Sequence, residues 1–128
     1  MHKRPTTPVT IPLPLKAIVG SLTSACEGGS NYWILKVTKG RKPSRETPSD
    51  FGIWSWPVDG GSLRVSPIPE AGAPKATYTL DKAAITRGLT AMAAGSPRHF
   101  GNLVGGNDDA ETGDVLLQYC LFGEILFG

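Results

Sequence analysis

Val115, Leu116, Leu117, Tyr119, Cys120, Leu121 and Phe122 cover almost every direction around a helix axis. A helix that is apolar nearly all round must be buried on most sides. The rest of the chain therefore has to supply a shell for this segment, or a partner copy does. At 128 residues the chain fits one domain and can close that shell without metal or disulfide staples.

The elements of the shell are readable from periodicity and punctuation. Residues 1–14 form a Pro-rich, basic arm, expected to be flexible and outside the domain at 15–128. Leu15, Ile18, Val19, Leu22 and Cys26 recur at helical spacing, with Gly28 and Gly29 expected to end that helix through positive φ. Tyr32 to Thr38 is aromatic and β-branched and predicts a strand. A polar, basic loop follows at 39–50. Further strands are expected at Phe51–Trp56, Leu63–Ile68 and Ala76–Leu80, with a hairpin signal at Asp59-Gly60-Gly61.

From Asp81 the period becomes helical. Ala84, Ile85, Leu89, Met92 and Ala93 share a face, capped by Thr79 or Asp81. Pro97 suits the first turn of a short helix reaching Leu103. The last helix is expected to start at Asn107 or Asp108, where Asp108 and Glu111 have capping-box spacing. The fold class expected is α+β: a small antiparallel sheet of three to four strands, packed by an N-terminal helix and two to three C-terminal helices.

Charge is distributed unevenly. The first 98 residues carry 13 Lys and Arg against 6 Asp and Glu, while the last 30 carry none against 5. Such segregation suits pairing of the two halves within the fold, or contact between copies, and a homo-oligomer is expected. The apolar end Ile125-Leu126-Phe127-Gly128 is hard to bury in so small a domain and points the same way. Prolines interrupt the basic N-terminus and no apolar run reaches a membrane span, so a cytoplasmic protein without membrane contact is expected.

Three segments carry candidate sites. In the acidic run, Glu111, Asp114 and Gln118 fall on one helical face, where two carboxylates and an amide can converge on a cation or a hydroxyl. They supply only part of the roughly six oxygens a hard metal needs, and N-capping with a solvated stripe is the favoured reading of the run. In Gly28-Gly29-Ser30-Asn31-Tyr32-Trp33, Tyr32 or Trp33 offers a ring to a flat ligand. The segment leads into a strand and lacks the Lys-Ser/Thr ending of a phosphate loop, so its other reading is a helix stop with a core aromatic. In the basic loop, Lys36, Lys39, Arg41, Lys42 and Arg45 lie near Trp54 and Trp56, a composition for phosphate and base contact or for a protein partner. Polynucleotide binding is disfavoured by the acidic tail.

Chemistry is sparse. His99 is the one histidine outside the arm, and no nucleophile motif points to it. Cys26 and Cys120 lie in apolar patterns and read as buried thiols, not as a disulfide or zinc site. No cofactor, metal or catalytic set is expected, and the chain reads as a binding protein.

Taken together, Gly28-Gly29-Ser30-Asn31-Tyr32-Trp33, Tyr78-Thr79-Leu80, His99-Phe100 and the terminal Asn107-Asp108-Asp109-Ala110-Glu111-Thr112-Gly113-Asp114-Val115-Leu116-Leu117-Gln118 with Phe122-Gly123-Glu124-Ile125 resemble a group of small accessory proteins of tailed bacteriophages. The resemblance spans about residues 15–128 and carries no activity with it. It implies a setting in the bacterial host cell, where such proteins act against host defences. The leading expectation is an anti-CRISPR-like inhibitor of a defence protein or complex. It would act by stoichiometric contact through Arg41, Lys42, Arg45, Asp108, Asp109 and Asp114. The alternatives are a sponge for a defence-signalling nucleotide, held by Tyr32, Trp33, Trp54, Glu111 and Gln118, and a virion or assembly accessory protein.

Overall fold

The computed structural model describes residues 5–44, 52–107 and 109–128. Helix α1 (Leu15–Ser24) leads through a wide turn at Ala25–Gly29 into strand β1 (Ile34–Lys39). A 3-10 helix (Gly52–Asp59), strand β2 (Leu63–Pro67) and strand β3 (Tyr78–Leu80) follow. Helices α2 (Lys82–Gly95), α3 (Pro97–Val104) and α4 (Ala110–Phe122) complete the chain. The three strands form an antiparallel meander in the order β1-β2-β3, with Val37 opposite Val65 and Leu63 opposite Leu80. This is the α+β class the sequence pattern predicts, with three strands.

Helix α4 is the axis of the molecule. Every residue from Thr112 to Cys120 is buried, and the helix packs against α1, α2, α3, the Ala25–Gly29 turn and β3. The core is thus completed within one chain. Two glycines set how closely the neighbours approach. A Cβ on Gly113 would collide with the Ser21 carbonyl of α1, and one on Gly88 of α2 would lie 2.6 Å from Cys120 Cα. Cys26 and Cys120 are free, and burial pushes each thiol up to about 12.

Helix boundaries follow their caps. Asp81 accepts from Ala84 N–H at 2.8 Å and starts α2, and Pro97 occupies the first turn of α3. For α4 the cap is Asp109, which accepts from Thr112 N–H at 2.9 Å, one residue beyond the expected start. Asp108 lies outside the described residues. Gly28 has φ 176, an extended value, so left-handed backbone is not what ends the first helical segment. Gly29 is needed for space, since a Cβ there would sit 2.6 Å from the Ala110 carbonyl oxygen.

The sheet departs from expectation in two places. Tyr32 and Trp33 belong to the turn before β1, held by Trp33 N–H to Ser30 O at 3.1 Å and Ile34 N–H to Ser30 O at 3.0 Å. The strand expected at Phe51–Trp56 is the 3-10 helix in its described part. Gly52 takes φ 58, Ser55 Oγ donates back to Gly52 O at 3.0 Å, and Pro57 removes an amide that a ladder would need. The Asp59-Gly60-Gly61 turn accordingly joins this helix to β2 and closes no hairpin. Among the described residues no helix is long and apolar enough to cross a membrane. The C-terminal residues are only partly covered: Phe127 packs on the core while Ile125 and Leu126 remain exposed.

The tight α1–α4 crossing generates a test. Gly113→Ala forces the two helices apart and should cost about 1–3 kcal/mol of stability. Urea denaturation of the two proteins measures it, and an unchanged midpoint would show that the helices can separate freely.

Candidate functional site

The wide turn after α1 folds Ser30, Tyr32 and Trp33 toward the first turns of α4. All three converge on one carboxylate, that of Asp114. Ser30 Oγ donates to Oδ1 at 2.6 Å, Trp33 Nε1 to Oδ1 at 2.8 Å and Tyr32 Oη to Oδ2 at 2.5 Å. Ser30 and Trp33 are fully buried and Asp114 is 7% exposed. An indole N–H can only donate, so the pattern fits an acceptor-only carboxylate. Hydrogen bonds of neutral donors to a charged oxygen are the strong ones, and here they offset the desolvation of Asp114.

One turn later on the same face, Gln118 is also fully buried. Its Oε1 accepts from Leu126 N–H at 2.8 Å and Phe127 N–H at 2.9 Å, and its Nε2 donates to Phe127 O at 3.1 Å. Nε2 also lies 3.3 Å from Asp114 Oδ1. A single amide therefore clamps the C-terminal segment back along α4. Phe127 lands on Trp33, stacked with ring centroids 5.4 Å apart, beside Phe122.

Between this strap, the Tyr32 turn and the start of α4 lies a cleft of about 470 Å³. Tyr32, His99, Glu111, Asp114, Gln118 and Phe127 line it, with Ile125 at its edge. His99 comes from α3. Its Nδ1 is 3.2 Å from Thr112 Oγ1, and its Nε2 is 3.8 Å from Glu111 Oε1. The Glu111 side chain is 76% exposed and stands at the rim. Among the described residues no Lys or Arg lines it.

The cleft brings together Tyr32, Glu111, Asp114 and Gln118 out of the candidates drawn from the sequence. Gln118 is there as a clamp, with its amide engaged by the protein itself. Trp33 lies beneath the cleft, its ring covered by Phe127 and Phe122. Trp54 sits in the 3-10 helix, packed on the core and outside the lining. Arg41 and Lys42 are exposed after β1, where Arg41 Nε donates to Gly60 O at 3.1 Å, and neither lines the cleft. Arg45 and Asp108 fall outside the described residues. Asp109 is exposed, and its hydrogen bond from the Thr112 backbone holds its carboxyl below the usual carboxylate value. Asp114 is buried, so reversing its charge would damage the fold as well as any contact.

Reasoning from sequence does not pair Ser30 with Asp114, and it offers Ile125 and Phe127 only as part of an apolar end for contact between copies. Ser30 and Asp114 are 84 positions apart, and no local spacing announces such a pair. Chemically the cleft offers acceptors, ring faces and a rim carboxylate. The Ser30 hydroxyl is spent on Asp114, and the Thr112 hydroxyl beside His99 is fully buried. Among the described residues no group of three or more His, Cys, Asp or Glu is placed to hold a metal ion. The chain matches no protein-family model, no curated protein and no solved structure.

Tyr32 supplies a pH signature. Desolvation, then the hydrogen bond to Asp114 and its charge, push the phenol from 10 up to about 12. A raised folded value means that its contribution is complete below the unfolded value and is lost as pH rises through the folded one. The wild type should therefore lose stability relative to Tyr32→Phe between about pH 10 and 12. Paired urea denaturation across that window reads the difference, and parallel curves would mean that Tyr32 does not donate to Asp114.

Proposed function

We propose that the protein acts by stoichiometric binding, with the cleft beside α4 as its principal contact. In the phage setting that its motifs imply, the target is a component of a bacterial defence system, which it inhibits. The observation that carries this reading is the cleft itself. It is preformed, because the Asp114 and Gln118 bonds fix two of its walls. Preorganised walls avoid an ordering cost on association. Exposed Tyr32, Ile125 and Leu126 add apolar surface around it, of the kind interfaces use.

A second reading, sequestration of a signalling nucleotide, draws support from Tyr32, whose ring is half exposed at the cleft wall and can stack on a base. It is the weaker one. Phosphates entering the cleft would face Glu111 and Asp114, with no Lys or Arg lining it among the described residues.

The test is a phage challenge of a defence-competent host expressing the chain, alongside a tagged pull-down. Wild type should restore plating and retain one host protein in equimolar amount. Glu111→Lys, a change at an exposed position, should weaken retention by about tenfold or more. Retention of a nucleotide without a protein would favour sequestration. Restored plating with both proteins equally effective would remove the cleft from the mechanism.

A further inference from the structure

We infer that the cleft is a receptor for an organic cation, and that the group entering it is the guanidinium of an arginine on the partner polypeptide. This rests on the cleft being the contact site, and it names the chemistry of what enters. The starting point is charge. Asp114 is 7% exposed, and every donor to it is neutral: a serine hydroxyl, a phenol, an indole and a carboxamide. Among the described residues no Lys or Arg forms an ion pair with it. Among the described residues its charge is solvated by dipoles alone. Oδ1 receives three of these donors, whereas Oδ2, on the side of Tyr32, receives one and keeps acceptor capacity.

The remaining walls narrow the class of cation. Glu111 adds a second carboxylate at the rim, and its neighbour His99, at 3.8 Å, offsets it only when protonated. Tyr32 and Phe127 contribute aromatic rings to the lining, which attract planar, weakly hydrated cations. A bare metal ion is a poor fit, since no set of three ligands is available among the described residues and the space is about 470 Å³. A guanidinium on its aliphatic stem uses carboxylate, ring and depth together. Ile125 and Leu126, exposed beside it, offer apolar contact to residues flanking that arginine, which a free small amine would leave unused.

The test uses the full chain and three probes followed by ¹⁵N–¹H NMR: the blocked peptide acetyl-Leu-Arg-Leu-amide, the same peptide with neutral citrulline for arginine, and free agmatine. The arginine peptide should shift the amides of Tyr32, Glu111 and Phe127 and bind at least about tenfold more tightly than the citrulline peptide. Glu111→Gln, whose spectrum should otherwise match the wild type because the side chain is exposed, should cut the preference for the arginine peptide over the citrulline peptide by about threefold or more, Asp114 supplying the rest. Equal binding of the two peptides, or no shift with either at millimolar concentration, overturns the inference. Agmatine binding as tightly as the arginine peptide overturns its polypeptide part and assigns the cleft to a free amine. If the arginine peptide binds as described while no host protein is retained by the chain, the function proposed above fails and the cation site stands.

Discussion

A carboxylate taken out of water needs donors from the protein, and Asp114 obtains them from a turn more than 80 residues earlier in the chain. That requirement organises the surroundings. Ser30, Tyr32 and Trp33 can reach Asp114 only if α1 ends in the wide turn that it does, and only if Gly29 lets that turn rest on Ala110. Once Trp33 is fixed, its ring becomes the floor on which Phe122 and Phe127 pack. Gln118, next on the same face, then holds the C-terminal strap over that floor. The cleft is what remains open between these parts.

The uneven charge of the chain acquires a physical meaning in this arrangement. The acidic residues of the last quarter are not a uniform solvated stripe. Asp109 caps α4, Asp114 is buried, and Glu111 stands exposed at the cleft rim beside His99. Basic side chains concentrate around β1 and the loop after it, where Lys39 lies over the Trp56 ring at 5.7 Å. Among the described residues no Lys or Arg lines the cleft.

Much of the fold was legible because local rules and tertiary demands agree. Asp81 before an apolar helical face, Pro97 in a first turn and an all-round apolar segment at Val115–Phe122 each admit few alternatives, and each is found where it is expected. The segment around Trp54 and Trp56 reads as a strand because its aromatic residues have strand propensity, while Gly52 and Pro57 impose a 3-10 helix. Tyr32 and Trp33 read as strand for the same reason, although the bonds to Ser30 hold them in the turn. For the site, the helical spacing of Glu111, Asp114 and Gln118 was readable. Their separate roles were not, because burial divides them and burial depends on residues distant in sequence.

The central claim is that Asp114 joins the turn after α1 to α4 by strong, buried hydrogen bonds. A double-mutant cycle with Ser30→Ala and Asp114→Ala, measured by urea denaturation, tests it most directly. Trp33 and Tyr32 lose the same acceptor with or without Ser30, so the cycle isolates the Ser30–Asp114 bond. A coupling of about 1.5–3 kcal/mol is expected for a buried hydrogen bond to a charged group. Additivity to within about 0.5 kcal/mol would contradict it and leave the cleft without its organising contact.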